Sequence, residues 1–395
     1  MGCKATLGEL CTFHRGASVP RARMFNSGNY LYIHYGDLYR GFEQRIDVEN
    51  PAKPLPFILD SERIKETQFL HDQDIVYVLT SETVDDLGHA FLFNNPRNRI
   101  AVSGTETTIV RIQRKDMVLP AYLNYVMQSP RFIAELRQYV RGMKVFRVHP
   151  NDAARISIVL PSLDKQARVV AILDAIFEKR LINNRLNGYL LDFATAQFER
   201  ALNESHTEML LGDIAVLEDS RRIPLNSRDR ALRKGSYPYY GASGIMDYVD
   251  DYLFDGIRIL LGEDGTVIGN DGKPILQYVW GKYWVNNHAH VLRASSSYPL
   301  EAIYIALSRT TINHIVTGAV QMKISQKNLK ALQLTMPGPD LISDLSTLFQ
   351  MYRQNSDENK KLETLRNSLL PKLMSGEIDV SKVDLMQLNS HLTDC

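Results

Sequence analysis

Cysteine is nearly absent from this sequence. The chain of 395 residues has three, Cys3, Cys11 and Cys395. None stands at a CxxC-type spacing, which excludes a zinc framework legible in the sequence, and three are too few for a disulfide scaffold, so a reducing compartment is expected. Long apolar runs are missing as well. No stretch of eighteen or more apolar residues occurs, and Met1 to Leu10 lacks a basic segment followed by an apolar core. Neither a membrane span nor a secretory leader is therefore expected, and a cytoplasmic location follows. There is also no excess of either charge: 46 basic against 45 acidic residues leave a formal net charge of +1. That balance excludes a chain that coats itself in nucleic acid by bulk electrostatics and directs attention to local basic faces.

What is present is the composition of a folded protein, 44% hydrophobic and 23% charged, in a chain long enough for two to three domains. Two stretches organise it. Pro161 to Asn203 and Pro337 to about Glu377 each follow an alternating apolar segment ending in proline, and each then runs for about forty residues with almost no internal glycine or proline. Both patterns predict long helices. In the first, Ile172, Ile176, Lys179, Asn183, Leu186, Leu190, Phe193 and Gln197 step by four and three. In the second, Leu345, Leu348, Tyr352, Asn355, Asn359, Leu362, Arg366 and Leu369 do the same. Two such seams in one chain can close on each other as a coiled coil. Asn183 and Asn359 fall at corresponding seam positions, where a buried amide fixes register by demanding a partner; the alternative is that both face solvent.

The chain also repeats itself. Gly142 to Pro161 aligns without a gap with Gly318 to Pro337, pairing Val140 with Val316, Arg147 with Lys323 and Val148 with Ile324; Ile156, Ile158 and Leu160 pair with Leu332, Leu334 and Met336. The last three alternate as a strand with one buried face does. Farther upstream Leu7-Gly8-Glu9-Leu10 resembles Leu211-Gly212-Asp213-Ile214, Tyr35-Gly36 resembles Tyr240-Gly241, and Leu119 to Ser129 resembles Leu300 to Ser308. The offset shrinks along the chain, so the first half carries extra loop material. Strands are expected at Tyr30 to Tyr35, Asp74 to Leu79, Ala90 to Phe93 and Thr107 to Ile112, and again at Ile257 to Leu261, Ile275 to Trp280 and His288 to Arg293. The fold class is thus α+β: two mixed α/β domains joined by two long helices that form an antiparallel coiled coil, with an internal pseudo-two-fold repeat. The expected segments are 1–160 for the first domain, 161–203 for its helix, 204–337 for the second domain, 338–378 for its helix, and 379–395 for a tail that frays.

No catalytic signature accompanies this plan. There is no GxxxxGKS/T phosphate loop, no GxGxxG after a strand, no HExxH and no GxSxG. Asn94-Asn95-Pro96-Arg97 has one proline and no aromatic, so it fails as the base-holding loop of an adenine methyltransferase. Asp264 with Asp271-Gly272-Lys273 is the nearest thing to a nuclease signature, acidic groups and a lysine able to organise a metal and a water, but a hairpin with Asp-Gly turn chemistry explains the same letters. His288 and His290 lie two apart on an expected strand with no third ligand suggested nearby, so no metal site is assigned.

Basic residues cluster better. Arg221, Arg222, Arg228, Arg230, Arg233 and Lys234 precede Tyr237, Tyr239 and Tyr240, a mixture suited to phosphate and base-edge contacts. Arg15, Arg21 and Arg23 precede Tyr30, Tyr32 and Tyr35 in the equivalent place. Lys144 and Arg147, with Gln321 and Lys323 in the second copy, add a second repeated polar patch. Asp247, Asp250, Asp251 and Asp255 are expected to point away from any phosphate.

Architecture and letters together resemble the specificity subunit of Type I restriction-modification systems. The resemblance covers almost the whole chain. It rests on Ile156-Ser157-Ile158-Val159-Leu160-Pro161 followed by Lys165-Gln166 and a long helix, and on the ending Leu365-Arg366-Asn367-Ser368-Leu369-Leu370-Pro371-Lys372-Leu373-Met374-Ser375-Gly376-Glu377-Ile378. It implies two target recognition domains, each reading one half of a split, asymmetric double-stranded DNA sequence. The two helices would then set the spacer and dock methyltransferase subunits, two copies as a rule, and the assembly would recruit a restriction subunit. A helix of about forty residues is about 60 Å long, more than one DNA turn of about 34 Å. The chain itself is expected to be non-catalytic and to bind no cofactor, S-adenosylmethionine belonging to the methyltransferase partner. Gly338-Pro339, where the first copy has Ser162-Leu163, predicts that the second helix starts later. Two rival readings keep less of this: a fragment of a fused methyltransferase-nuclease, and a structural scaffold whose helices only dimerise it.

Overall fold

The computed structural model describes residues 2–38, 41–295, 298–318 and 321–384. The chain forms two compact units, one of residues 1–180 with 361–395 and one of residues 181–360. Each unit therefore contains part of both long helices.

In the first unit a five-stranded sheet has the order Cys11–Arg15, Thr108–Ile112, Ile75–Tyr77, Ala90–Asn94, Arg45–Asp47. All neighbours are antiparallel except the last pair. The sheet is buried on both faces, because Ile75 and Tyr77 enter one core while Val76 and Val78 enter another. That is why the segment reads as a continuous apolar run rather than an alternation. A three-stranded sheet, Phe57–Ile58, Tyr30–Ile33, Ala101–Ser103, holds much of the extra loop material. Helix Pro120–Gln128 and the first turns of the long helix Leu163–Glu204 cover the main core, with Val169, Ile172, Leu173, Leu370 and Leu373 contributing to it.

The second unit repeats the scheme with a sheet Ala215–Leu217, Ala289–Ala294, Arg258–Gly262, Leu276–Val279, again lined on both faces. Helix Leu300–Arg309 stands where Pro120–Gln128 does. A further sheet, Ile245–Val249, Lys234–Tyr240, Lys282–Val285, Phe254–Asp255, answers the three-stranded sheet of the first unit: Lys234–Tyr240 pairs parallel with Lys282–Val285 and antiparallel with Ile245–Val249, as Tyr30–Ile33 does with Ala101–Ser103 and Phe57–Ile58. The registers make the repeat explicit: Phe13 opposes Val110, which neighbours Ile75, and Leu217 opposes Leu292, which neighbours Ile259.

The repeated glycines have physical reasons. A side chain on Gly8 would meet the carbonyl of Ala154 at 3.2 Å, and one on Gly212 would meet Lys330 Cβ at 3.0 Å. Gly142 and Gly318 sit at φ +115° and +88°, where a Cβ would run into the carbonyls of Val145 and Gln321 at 2.0 and 2.2 Å. Only glycine satisfies both the torsion and the approach. Gln166, whose neighbourhood the resemblance singled out, is fully buried: it accepts from the Leu119 N–H at 2.9 Å and donates to the carbonyls of Met117 and Pro161 at 2.8 and 2.9 Å. It stitches the helix start to the domain.

The first long helix spans Leu163–Glu204. The second begins late, as Gly338-Pro339 predicts: a 3-10 turn Pro339–Ile342 precedes the helix Leu345–Ser375. Within the second unit the two helices run antiparallel, since Asn183 donates to Glu358 and Asn359 at 2.7 and 3.0 Å while Asn187 donates to the Tyr352 carbonyl and Ser356 at 3.3 and 2.9 Å. Asn183 is 1% exposed, so the solvent-facing alternative falls. Along the second helix Leu345, Phe349, Leu362, Leu370 and Leu373 are buried, with Leu348, Tyr352, Asn359 and Leu369 partly so.

Along the first helix the expected seam needs correction. Ile172, Ile176 and Asn183 are buried and Leu190 half-buried, but Leu186 and Phe193 are 45% and 55% exposed. The buried positions are instead Asn187, Ala194, Phe198 and Ala201, one residue on. Apolar size misled the phase, because small and amide side chains occupy part of the interface. The beginning of the expected tail is also ordered: Val380, in a 3-10 turn Val380–Lys382, is 4% exposed and belongs to the first unit's core. Residues 385–395 of that tail, with Cys395, lie outside the described residues. Among the described residues no helix is long and apolar enough to cross a membrane.

Candidate nucleic-acid interface

Strand registers bring the candidate residues of each unit to the same end of its sheet. In the first unit Arg15 closes the strand opposite Thr108, and Arg147 pairs with Thr80, just past the end of Ile75–Tyr77. In the second unit Asp219 to Arg222 follow the strand Ala215–Leu217, and Lys323 bridges to Asp264, just past the end of Arg258–Gly262. The hairpins turning at Gly142 and Gly318 thus stand at corresponding places, held by the paired residues Arg141 and Arg147 in one and by Val316–Thr317 with Lys323–Ile324 in the other.

Within the first unit Arg15, Arg21 and Lys144 are exposed and show no side-chain ion pair among the described residues. Arg23 pairs with Glu62 at 3.3 Å, and Arg147 lies 4.0 Å from Glu106. Both remain mostly exposed, so both contacts are weak. Met143, at the tip, is 94% exposed.

The arginine cluster of the second unit is not a free basic face, which corrects the sequence reading. Arg222 is largely covered, its side chain 10% exposed, and donates to Glu263 at 2.7 Å and to the Ala289 carbonyl at 2.6 Å. Arg230 contacts Asp247 at 3.3 Å, donates to the Leu225 carbonyl and stacks over Tyr239. Arg233 pairs with Asp250 at 2.9 Å and covers the Trp284 ring. Lys234 meets Asp247 at 2.5 Å. Asp247, Asp250 and Asp251, expected to point elsewhere, are therefore partners of these cations. The hydrogen bond from Lys234 and the Tyr248 N–H hold the Asp247 carboxyl below its ordinary range. Tyr239 is buried, its hydroxyl accepting from the Leu225 N–H at 2.9 Å. Arg221 lies over Phe254 and donates to the Leu253 carbonyl, and Tyr240 packs edge-on against Tyr283. Of the candidates here, Arg228 is exposed without an ion pair among the described residues, Gln321 is exposed, and Lys323 is half-exposed, 3.5 Å from Glu263.

What sequence reasoning missed is a buried charge network beneath the Gly318 hairpin. Asp219, Glu263 and His290 offer ligand-type atoms within 4.8 Å of one another, so the third group thought absent beside His290 exists, supplied by distant segments. Arg222 already lies on both carboxylates, at 2.7 Å from Glu263 and 3.5 Å from Asp219. His288 instead pairs with Asp264. Asp271 caps its own turn through the Lys273 N–H at 3.2 Å, with Gly272 at φ +75°, as turn chemistry predicts.

A second surface lies on the first long helix. Ile182, Leu186, Tyr189 and Phe193, spaced by four and three, are 49%, 45%, 69% and 55% exposed. Contiguous exposed apolar patches are the kind of surface on which proteins meet partners.

Residues 203–367 match the family model of the Type I restriction modification DNA specificity domain. Over 140 residues, 35% of this chain and 35% of the relative, the sequence is 29% identical to a putative type I restriction enzyme specificity subunit of Haemophilus influenzae. Over 128 residues it is 25% identical to the type I restriction enzyme EcoprrI specificity subunit of Escherichia coli, covering 32% of this chain and 31% of that one. The matches thus span about a third of each curated relative. The fold is similar to the crystal structure of the Type-I restriction-modification system S subunit from M. genitalium, with a TM-score of 0.55 and 16% identity over 94% of this chain and 95% of that one.

Proposed function

We propose that this chain, whose residues 203–367 belong to the Type I restriction modification DNA specificity family, is the non-catalytic subunit that reads a bipartite DNA target. One observation carries the reading: the two units share one strand scaffold and present a hairpin at the same sheet end, yet differ in the side chains there. A repeated scaffold with different letters reads two different half-sites, so the target is asymmetric. Methyl transfer and cleavage then belong to partner subunits, with S-adenosylmethionine held by the methyltransferase. The in-chain pairing of Asn183 with Asn359 leaves the helices no need of a second copy, which counts against a mere dimerisation scaffold.

The decisive experiment maps adenine methylation across the genome of cells expressing this chain with its neighbouring methyltransferase, against cells lacking only this chain. Loss of one split, asymmetric motif is expected; an unchanged map from an active methyltransferase would refute the assignment.

Two further results are expected of the assembled complex. Log affinity for DNA should fall with log salt by about 0.9 per phosphate contacted, and Lys144→Ala or Arg228→Ala should each lower that slope by about one. Arg222→Ala should instead lower the melting temperature, because it strips buried carboxylates of their partner. Second, the stripe Ile182, Leu186, Tyr189 and Phe193 is the face on which a methyltransferase subunit docks. Phe193→Asp should abolish co-purification of the methyltransferase while leaving the melting temperature of the isolated chain within error.

A further inference from the structure

The buried network of the second unit has a consequence for specificity that rests on the DNA-reading function above. His290 is fully buried on the strand Ala289–Ala294. Its Nδ1 lies 2.6 Å from an Asp219 carboxylate oxygen, and its Nε2 lies 2.9 Å from the Ile324 carbonyl. Both partners are acceptors only, so meeting both requires an N–H on each ring nitrogen. Asp219 also accepts from the Val291 N–H at 2.8 Å and from Gln326 at 2.7 Å. The Ile324 N–H donates to the Glu263 carbonyl at 2.8 Å, and the Glu263 carboxylate faces Arg222 at 2.7 Å, Lys323 at 3.5 Å and His290 at 3.6 Å. The imidazole thereby ties the Ile324 carbonyl to Asp219 at the sheet end, beside the direct bonds from the Ile324 and Gly265 N–H groups to the Glu263 and Met322 carbonyls.

The first unit has no equivalent. Aligning Val110 with Leu292, Phe13 with Leu217 and Ile75 with Ile259 places Thr108 at His290, Arg15 at Asp219 and Leu79 at Glu263. Its hairpin has the corresponding main-chain pairing, Phe146–Arg147 with Thr80–Ser81, as Lys323 has with Asp264, but Thr108 in place of an imidazole.

We propose that His290, donating from both ring nitrogens to Asp219 and the Ile324 carbonyl, is a positioning residue that fixes the Lys323 hairpin for readout of one half-site only. A divalent metal on Asp219, Glu263 and His290 is the competing use of the same atoms. It is disfavoured because Arg222 already lies against both carboxylates and Lys323 against Glu263.

The test uses the complex with its methyltransferase and reads the methylated motif for wild type, His290→Phe, His290→Gln, Lys323→Ala and Thr108→Ala. His290→Phe should relax the half-site that Lys323→Ala also changes, with discrimination at one base position falling about tenfold, at the low end of what one side-chain contact supplies. The other half-site and the spacer should be unchanged, His290→Gln should partly restore the motif, and Thr108→Ala should alter neither half. An unchanged motif in a folded His290→Phe variant, or equal loss at both half-sites, would overturn the proposal. Should His290→Phe fail to fold, the ring nitrogen resonances of wild-type protein labelled in histidine decide. Two N–H signals for the residue bonded to Ile324 support it, and a single one overturns it. Zinc that raises the melting temperature of wild type but not of His290→Gln would also overturn it, in favour of a metal site. If wild type itself directs no motif, the DNA-reading function fails, while the resonances still report the state of the imidazole.

Discussion

Phe198→Ala is expected to destabilise the second unit by about 3–5 kcal/mol, and Phe193→Ala by no more than about 0.5 kcal/mol. The two phenylalanines are five residues apart on one helix, and from sequence alone Phe193 is the better seam candidate. In the structure Phe198 is 0% exposed and shares a core with Ala194, Ala201, Leu345 and Phe349, while Phe193 is 55% exposed. Removing a buried ring loses its transfer free energy and leaves a cavity that the surrounding backbone cannot fill. Removing an exposed ring on a helix leaves only a propensity change, which favours alanine. Calorimetry of the isolated chain should show the transition of this unit lowered by roughly 6–20 °C for Phe198→Ala, taking about 2–4 °C per kcal/mol for a unit of this size. Equal losses from both variants would mean that the helix is turned by about 100° from the phase described, one residue's worth of rotation.

That one-residue error shows where the letters stop being informative. Helix existence was legible because long stretches with few breakers, Gly188 in one and Pro371 in the other, leave no other regular structure, and the repeat was legible because its glycines meet fixed backbone needs at Gly142 and Gly318. Phase was less so. A heptad pattern picks the largest apolar residues, but here the interface uses Asn183, Asn187 and Ala194. The amides bond across it to Tyr352, Ser356, Glu358 and Asn359, so polarity no longer marks the solvent side. The apolar residues left outside, Ile182, Leu186, Tyr189 and Phe193, form the exposed stripe instead.

The candidate interface was legible by position and not by chemistry. Repeat arithmetic matched Arg147 with Lys323, and the registers place both at the same strand end. Counting basic letters, by contrast, overstated the Arg221 to Lys234 cluster. Each carboxylate that neutralises it arrives from another segment, Asp247 and Asp250 from the next strand or loop and Glu263 from beyond a different sheet. Glu263, Asp219 and His290 are likewise far apart in the chain, and nothing local marks them as one group.

Asp219→Ala is expected to cost about 3–5 kcal/mol at neutral pH, the range for breaking a buried ion pair from one side. The variant strands His290, Gln326, the Val291 N–H and one face of Arg222, all of which the carboxylate now satisfies. Burial works to raise the Asp219 carboxyl, but the hydrogen bond and charge of His290, the Val291 N–H and the nearby Arg222 outweigh it and leave the group below its ordinary value. The sign follows: a carboxyl held lower in the folded state than in the unfolded chain contributes stability that is complete well above the unfolded value of about 3.9 and is lost as pH falls through the folded value. Glu218 behaves in the same direction, since pairing with Arg258 overcomes its partial burial. Denaturant midpoints measured from pH 7 downward should therefore fall steeply for wild type once pH drops below about 4. Asp219→Ala should start lower and fall less steeply, the residual slope being that of Glu218 and the exposed carboxylates. A variant that matches wild type at pH 7, or that keeps the full acid slope, would show that Asp219 does not hold the network together and that Arg222 and Glu263 suffice to close the sheet end.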